Sequence, residues 1–112
     1  MAAKPLFTAE KSQFARLEDL IKVADHAIVS IPLIDTGALK QILFALDEGQ
    51  EISAHRAPFP ATVQVLEGRM QFGFAGKKQD LTAGDWVVLR PDEMHDVVAT
   101  KRVKFLLTLV KG

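Results

Sequence analysis

The chain of 112 residues contains no cysteine, no tyrosine and only one tryptophan. Without cysteine there is no disulfide scaffold, no zinc knuckle and no thiol nucleophile. Apolar runs stay well short of the ~18 residues that a membrane-spanning helix needs. An excess of one charge is also missing, since 14 basic residues balance 14 acidic ones and the isoelectric point is about 6.8. That balance excludes the basic face of a phosphate-tracking nucleic-acid binder and the polybasic patch of a membrane-surface anchor. The opening stretch, Met1-Ala2-Ala3-Lys4-Pro5-Leu6-Phe7, lacks the apolar run and cleavage site of a secretory leader. The expectation is a soluble cytoplasmic protein with neither nucleic acid nor membrane as partner.

What is present is the composition of an ordinary globular domain, 48% apolar and 25% charged. The length fits one folded unit, read as an N-terminal segment over residues 1–24 and a barrel domain over 25–112. Between residues 13 and 24 the apolar positions Phe14, Leu17, Leu20, Ile21 and Ala24 form a helical stripe, which predicts a short amphipathic helix. Beyond Asp25 come short runs rich in Val, Ile, Leu and Phe: Ala27–Ile34, Ala38–Leu46, Ala61–Leu66, Arg69–Phe74, Trp86–Leu89, Asp96–Ala99 and Val103–Val110. Gly, Asp and Lys turns separate them. Met70, Phe72 and Phe74 alternate with Gln71 and Gly73, the period of a strand. Such spacing predicts an all-β sandwich or barrel. Within it, His26 reads as an exposed turn residue, Trp86 as core or interface packing, and Lys77-Lys78 as a solvated hairpin tip.

The segment Gly49–Gly68 includes Gly49, His55, Ala57, Pro58, Phe59 and a closing Val65-Leu66-Glu67-Gly68. It resembles the first signature of the cupin superfamily: a glycine, a pair of histidines, a glutamate and a final glycine. Gly84-Asp85-Trp86 through Pro91 to His95 resembles the second. The resemblance covers about residues 25 to 111. It implies a double-stranded β-helix, the jelly-roll barrel of the RmlC-like cupins, with a short helix in front, and it implies a homodimer. The nearest likeness is to small stand-alone cupins with no assigned activity.

Metal-binding cupins hold their ion with three histidines and a glutamate. Carried over residue by residue, those positions are His55, Ala57, Ala61 and His95, so two of the four are methyl groups. Glu51 and Ser53 share strand parity with His55, and Glu93 precedes His95 by two, so either carboxylate is a candidate to complete a shell. What the resemblance implies is at most a weakly held divalent metal (zinc, nickel or iron) on His55 and His95. Replacing two ligands by alanine enlarges the barrel interior and makes it apolar. The implied pocket has the two histidines facing each other across a cavity lined by Ala57, Phe59, Ala61, Val63, Met94 and Val97. An apolar hollow with two convergent polar groups is the usual form of a small-molecule site.

The reading is therefore a small-molecule-binding cupin with a degenerate metal site. The alternative is a cupin enzyme of the isomerase, epimerase or dioxygenase type with His55 and His95 as catalytic groups. An iron oxygenase needs three protein ligands, and the matching positions supply two. A metal-free epimerase resembling those of deoxysugar pathways opposes a histidine base with a tyrosine acid, and this chain has no tyrosine.

Overall fold

Alternating burial shows why the strands form where they do. In β4 (Ala61–Glu67), Ala61, Val63 and Val65 are buried while Gln64 is exposed. In β8 (His95–Ala99), His95, Val97 and Ala99 turn inward. The computed structural model describes residues 4–112; Met1–Ala3, part of the stretch read above for a leader, lie outside them. The remaining strands are β1 (Ile28–Asp35), β2 (Leu39–Leu46), β3 (Glu51–His55), β5 (Arg69–Phe74), β6 (Lys77–Thr82), β7 (Trp86–Leu89) and β9 (Val103–Val110). All pairings are antiparallel, in a five-stranded sheet ordered β1-β2-β9-β4-β7 and a four-stranded sheet ordered β3-β8-β5-β6. The inner faces close on one core that includes Leu46, Val63, Val65, Met70, Phe72, Val97, Val103 and Phe105. This is the expected all-β double-stranded β-helix.

Its two outer faces differ. The outward positions of the smaller sheet are mostly polar, with Gln71 between Asp80 and Val98 and Gly73 between Asp96 and Lys78. The larger sheet instead presents Leu43 beside Leu106, with Ala45 and Leu33 nearby, and these form a second apolar cluster. The N-terminal segment covers it. Leu6 and Phe7 donate their amides to the carbonyls of Pro32 and Leu33 on the edge strand β1. Ile21 is buried in the cluster, and Phe7, Leu17, Leu20 and Val23 pack around it.

The expected helix over this segment is not formed. Only a 3-10 turn at Leu17–Asp19 is helical, and Phe14, the first residue of the stripe, projects fully into solvent. A helix of a dozen residues is marginal on its own. Here Ile21 and Val23, two apart, match the spacing of an extended chain on a sheet, so packing selects extension over the helical period.

The expected tip at Lys77-Lys78 also moves. The turn is Ala75-Gly76, both at positive φ, as a two-residue hairpin of right-handed twist requires. The lysines open β6, a charged strand at the sheet edge whose only buried side chain is Leu81. Charge on an edge strand opposes pairing with another chain. Among the described residues, no helix is long and apolar enough to cross a membrane.

Candidate functional site

His95 lies on β8 between two partners, opposite His55 on β3 and opposite Phe74 on β5. The imidazoles are thus cross-strand neighbours on one wall of the barrel, not residues facing each other across it. Their ring centroids are 4.3 Å apart with planes tilted by 56°. Phe72 stacks on His95 at 5.7 Å, nearly parallel.

His55 reaches this wall through a register shift. Glu51 pairs with Val98 and Ile52 with Val97, but the next pairing joins His55 to His95. Three steps along β3 match two along β8, a β-bulge that places an extra residue in β3. Ile52, packed against the core, and His55, whose ring meets that of His95, therefore lie on the same side of β3 despite opposite parity. The expectation that Glu51 and Ser53 share the face of His55 fails for this reason; both are exposed, and His55, although its ring meets that of His95, is solvent-exposed as well.

Each ring is tied back by a main-chain carbonyl two residues earlier. Nδ1 of His55 lies 2.9 Å from the oxygen of Ser53. Nδ1 of His95 lies 2.9 Å from the oxygen of Glu93. His95 is 8% exposed. Burial holds its pKa below the ordinary value of 6.5, aided by the neighbouring His55 and opposed by the Glu93 carbonyl and the charges of Asp96 and Glu93. At neutral pH the ring is uncharged.

Beside the pair opens a cavity of about 150 Å³. Ala57 and Phe59 line it from the loop after β3, and Ala61 from the start of β4. The register sets Ala61 between Leu89 of β7 and Leu109 of β9, and both leucines line the cavity with Leu107. Arg90 and Glu93 also line it; Arg90 Nε donates to Glu93 Oε1 at 3.2 Å. The two loops are joined where the amide of Asp92 donates to the carbonyl of Ala57.

Of the residues expected to line a pocket, the structure gathers His55, Ala57, Phe59, Ala61 and His95 around this cavity. Val63 and Val97 do not line it; they sit deeper on their strands, packed in the closed core. Met94 does not line it either, being 46% exposed in the loop before β8. Leu89, Arg90, Leu107 and Leu109 escaped the sequence reading. Leu107 and Leu109 share inward parity with the buried Phe105, a signal that was available; that β9 and β7 flank β4 was not. Trp86 is no core residue, since odd-numbered positions of β7 face inward and Trp86 is 59% exposed. His26 is an exposed residue at positive φ, in keeping with a turn.

The donor set does not fit a resident divalent ion. Two imidazoles converge, the other two ligand positions are the methyl groups of Ala57 and Ala61, and an oxygen of Glu93 is engaged by Arg90. No cluster of three His, Asp or Glu side chains among the described residues is arranged to hold a metal.

The protein-family model described as the AraC-like ligand binding domain matches residues 41–110. The chain belongs to this family. Solved structures share the cupin fold of this chain. A conserved protein of unknown function from Streptococcus pyogenes is 24% identical, with a TM-score of 0.84, over 100% of this chain and 98% of the other. A cupin superfamily protein from Desulfitobacterium hafniense DCB-2 is 20% identical, with a TM-score of 0.85, over 100% of both chains. A cupin 2 conserved barrel domain protein from Leptotrichia buccalis is 31% identical over 85% of this chain and 46% of its own length, with a TM-score of 0.81. No curated protein matches this chain.

Proposed function

We propose that the protein binds a small organic molecule in the cavity beside His55 and His95, without a resident metal. The observation that carries this reading is a hollow of about 150 Å³, walled by Phe59, Leu89, Leu107 and Leu109 and bounded by two imidazoles held in fixed orientations. Membership of a ligand-binding family supports it. Binding is favoured over catalysis by the placement of the two rings. A base and an acid acting on opposite faces of a substrate carbon must straddle it, whereas neighbours 4.3 Å apart on one wall reach the same side.

The test is elemental analysis of the purified, untagged protein together with a ligand screen followed by thermal denaturation. The expected result is metal far below one ion per chain and stabilisation by compact apolar molecules. One ion per chain, lost in His55→Ala, would overturn the metal-free reading and restore the enzyme alternative.

The proposal extends to a homodimer. Trp86 and Val88 turn outward side by side on β7, 59% and 56% exposed, at an unpaired edge of the larger sheet. Large apolar side chains grouped at a strand edge are typical of contact surfaces. Light scattering on the eluting peak should give twice the 12.3 kDa chain mass, and the mass of one chain at micromolar concentration would refute the pairing.

A further inference from the structure

The backbone contacts of the two histidines fix what kind of ligand group they accept. A carbonyl oxygen only accepts hydrogen bonds, so the 2.9 Å contacts from Ser53 and Glu93 require the proton of each neutral ring to sit on Nδ1. Nε2 of each ring then carries a lone pair. Because the rings are packed in contact, a charge on one disfavours a charge on the other. The polar side of the cavity is thus the buried acceptor of His95, with the exposed ring of His55 and the carboxylate of Glu93 beside it. Arg90 is the one cationic group lining the cavity; its Nε is spent on Glu93 and its side chain is 79% exposed. Apart from Glu93, the rest of the wall is the apolar surface of Ala57, Phe59, Ala61, Leu89, Leu107 and Leu109.

Resting on the pocket reading above, we infer that the site selects a compact, largely apolar molecule about the size of one six-membered ring that bears a hydrogen-bond donor, of which phenols are the simplest class. The size follows from the volume, since an apolar-lined cavity of about 150 Å³ is one that holds a single benzene. The lone pair of His95 and the Glu93 carboxylate beside it repel a carboxylate. They also leave most of a sugar's hydroxyl groups without partners, and each unpaired buried hydroxyl weakens binding. A plain hydrocarbon fits the walls but leaves the buried acceptor of His95 unpaired.

The experiment titrates the protein at pH 7.5 with phenol, toluene and sodium benzoate at millimolar concentrations. Affinity is read from the methyl resonances of Leu89, Leu107 and Leu109, and the proton state of the rings from the 15N shift of each Nε2. Phenol should bind about tenfold more tightly than toluene, the effect of one net hydrogen bond. Its binding should move an Nε2 resonance that toluene leaves in place, and benzoate should leave every signal unchanged. In His95→Phe, which keeps an aromatic ring and removes the buried acceptor, the preference for phenol over toluene should shrink. Equal affinity of phenol and toluene would overturn the donor requirement while leaving the pocket intact. Benzoate binding more tightly than phenol would overturn it in the other direction, by showing that the pair acts as a cation. If none of the three probes moves a cavity methyl, the pocket reading itself fails and this inference with it.

Discussion

Filling the cavity from its floor tests whether the hollow is real. Ala61 is 3% exposed, with Leu89 on one side and Leu109 on the other, and its methyl group borders the open volume. Ala61→Leu adds three carbons in place of empty space. At ~0.8 kcal/mol per buried methylene this contributes roughly 2.4 kcal/mol. Fixing the new rotamer removes roughly 0.5–1 kcal/mol of that. The net expectation is a gain of ~1.5 kcal/mol. Unfolding entropy of about 2.1 cal/mol/K per residue converts this to a rise in Tm of roughly 6 °C for a chain of 112 residues. Thermal denaturation followed by circular dichroism reads it, and ligand binding should be lost in the same variant. If the site is already close-packed, the larger side chain instead forces strained rotamers and lowers stability by ~1–3 kcal/mol. A fall in Tm would refute the cavity and remove the basis of the proposed function.

Three further outcomes follow from other parts of the molecule. Ile21→Ala should cost roughly 2–5 kcal/mol in chemical denaturation because Ile21 is sealed between the N-terminal segment and the sheet, whereas Phe14→Ser should stay within ~0.5 kcal/mol since Phe14 touches only solvent; equal losses would mean the segment packs as the helix the sequence suggests. Ala57→His combined with Ala61→Glu places two further donors around the same cavity as His55 and His95, so the double variant should gain zinc affinity by isothermal titration, and no gain would mean these positions do not converge. For pH, the folded state binds the His95 proton less readily than the unfolded chain, whose value is near 6.5. Stability is therefore full above 6.5, declines as pH falls below it, and levels off once pH passes below the lowered folded value. Asp35 and Asp47, held low chiefly by hydrogen bonds from Lys111 and from the His26 amide, add their losses only below about 3.8. Between pH 6.5 and 5 the slope should flatten in His95→Gln, and an unchanged slope would show that His95 is not its source.

How much of this the sequence discloses depends on whether the controlling contact is local. Strands with one inward and one outward face, such as β4 and β5, announce themselves by alternation, because burial on a pleated surface imposes a period of two. β6 is silent for the opposite reason: it is an edge strand wetted along most of its length, so only Leu81 records its inward face. The segment before β1 misleads because spacings of three and four at Phe14, Leu17, Leu20 and Ile21 satisfy a helical stripe, while the pair Ile21 and Val23 satisfies a strand. The exposed apolar face of β1, β2 and β9, distant in sequence, decides between them.

The site shows the same division more sharply. That His55 and His95 belong together was available only through resemblance, since nothing near either residue refers to the other. That they stand side by side depends on the order β3-β8-β5, and that His55 lies on the same side as Ile52 depends on one extra residue in β3. Strict alternation from Ile52 would have turned His55 to the other face of the sheet and left His95 without its neighbour. A cavity wall built from β9, β4 and β7 is likewise a property of strand order, so Leu89, Leu107 and Leu109 looked like ordinary sheet residues until the register placed them around Ala61. The chemistry of the site is set one level further down. It lies in two main-chain carbonyls, Ser53 and Glu93, whose side chains take no part in those bonds. A substitution at either position that preserves the backbone should leave both rings tethered as they are, whereas a residue deleted from the β3 bulge should abolish the pair without touching either histidine.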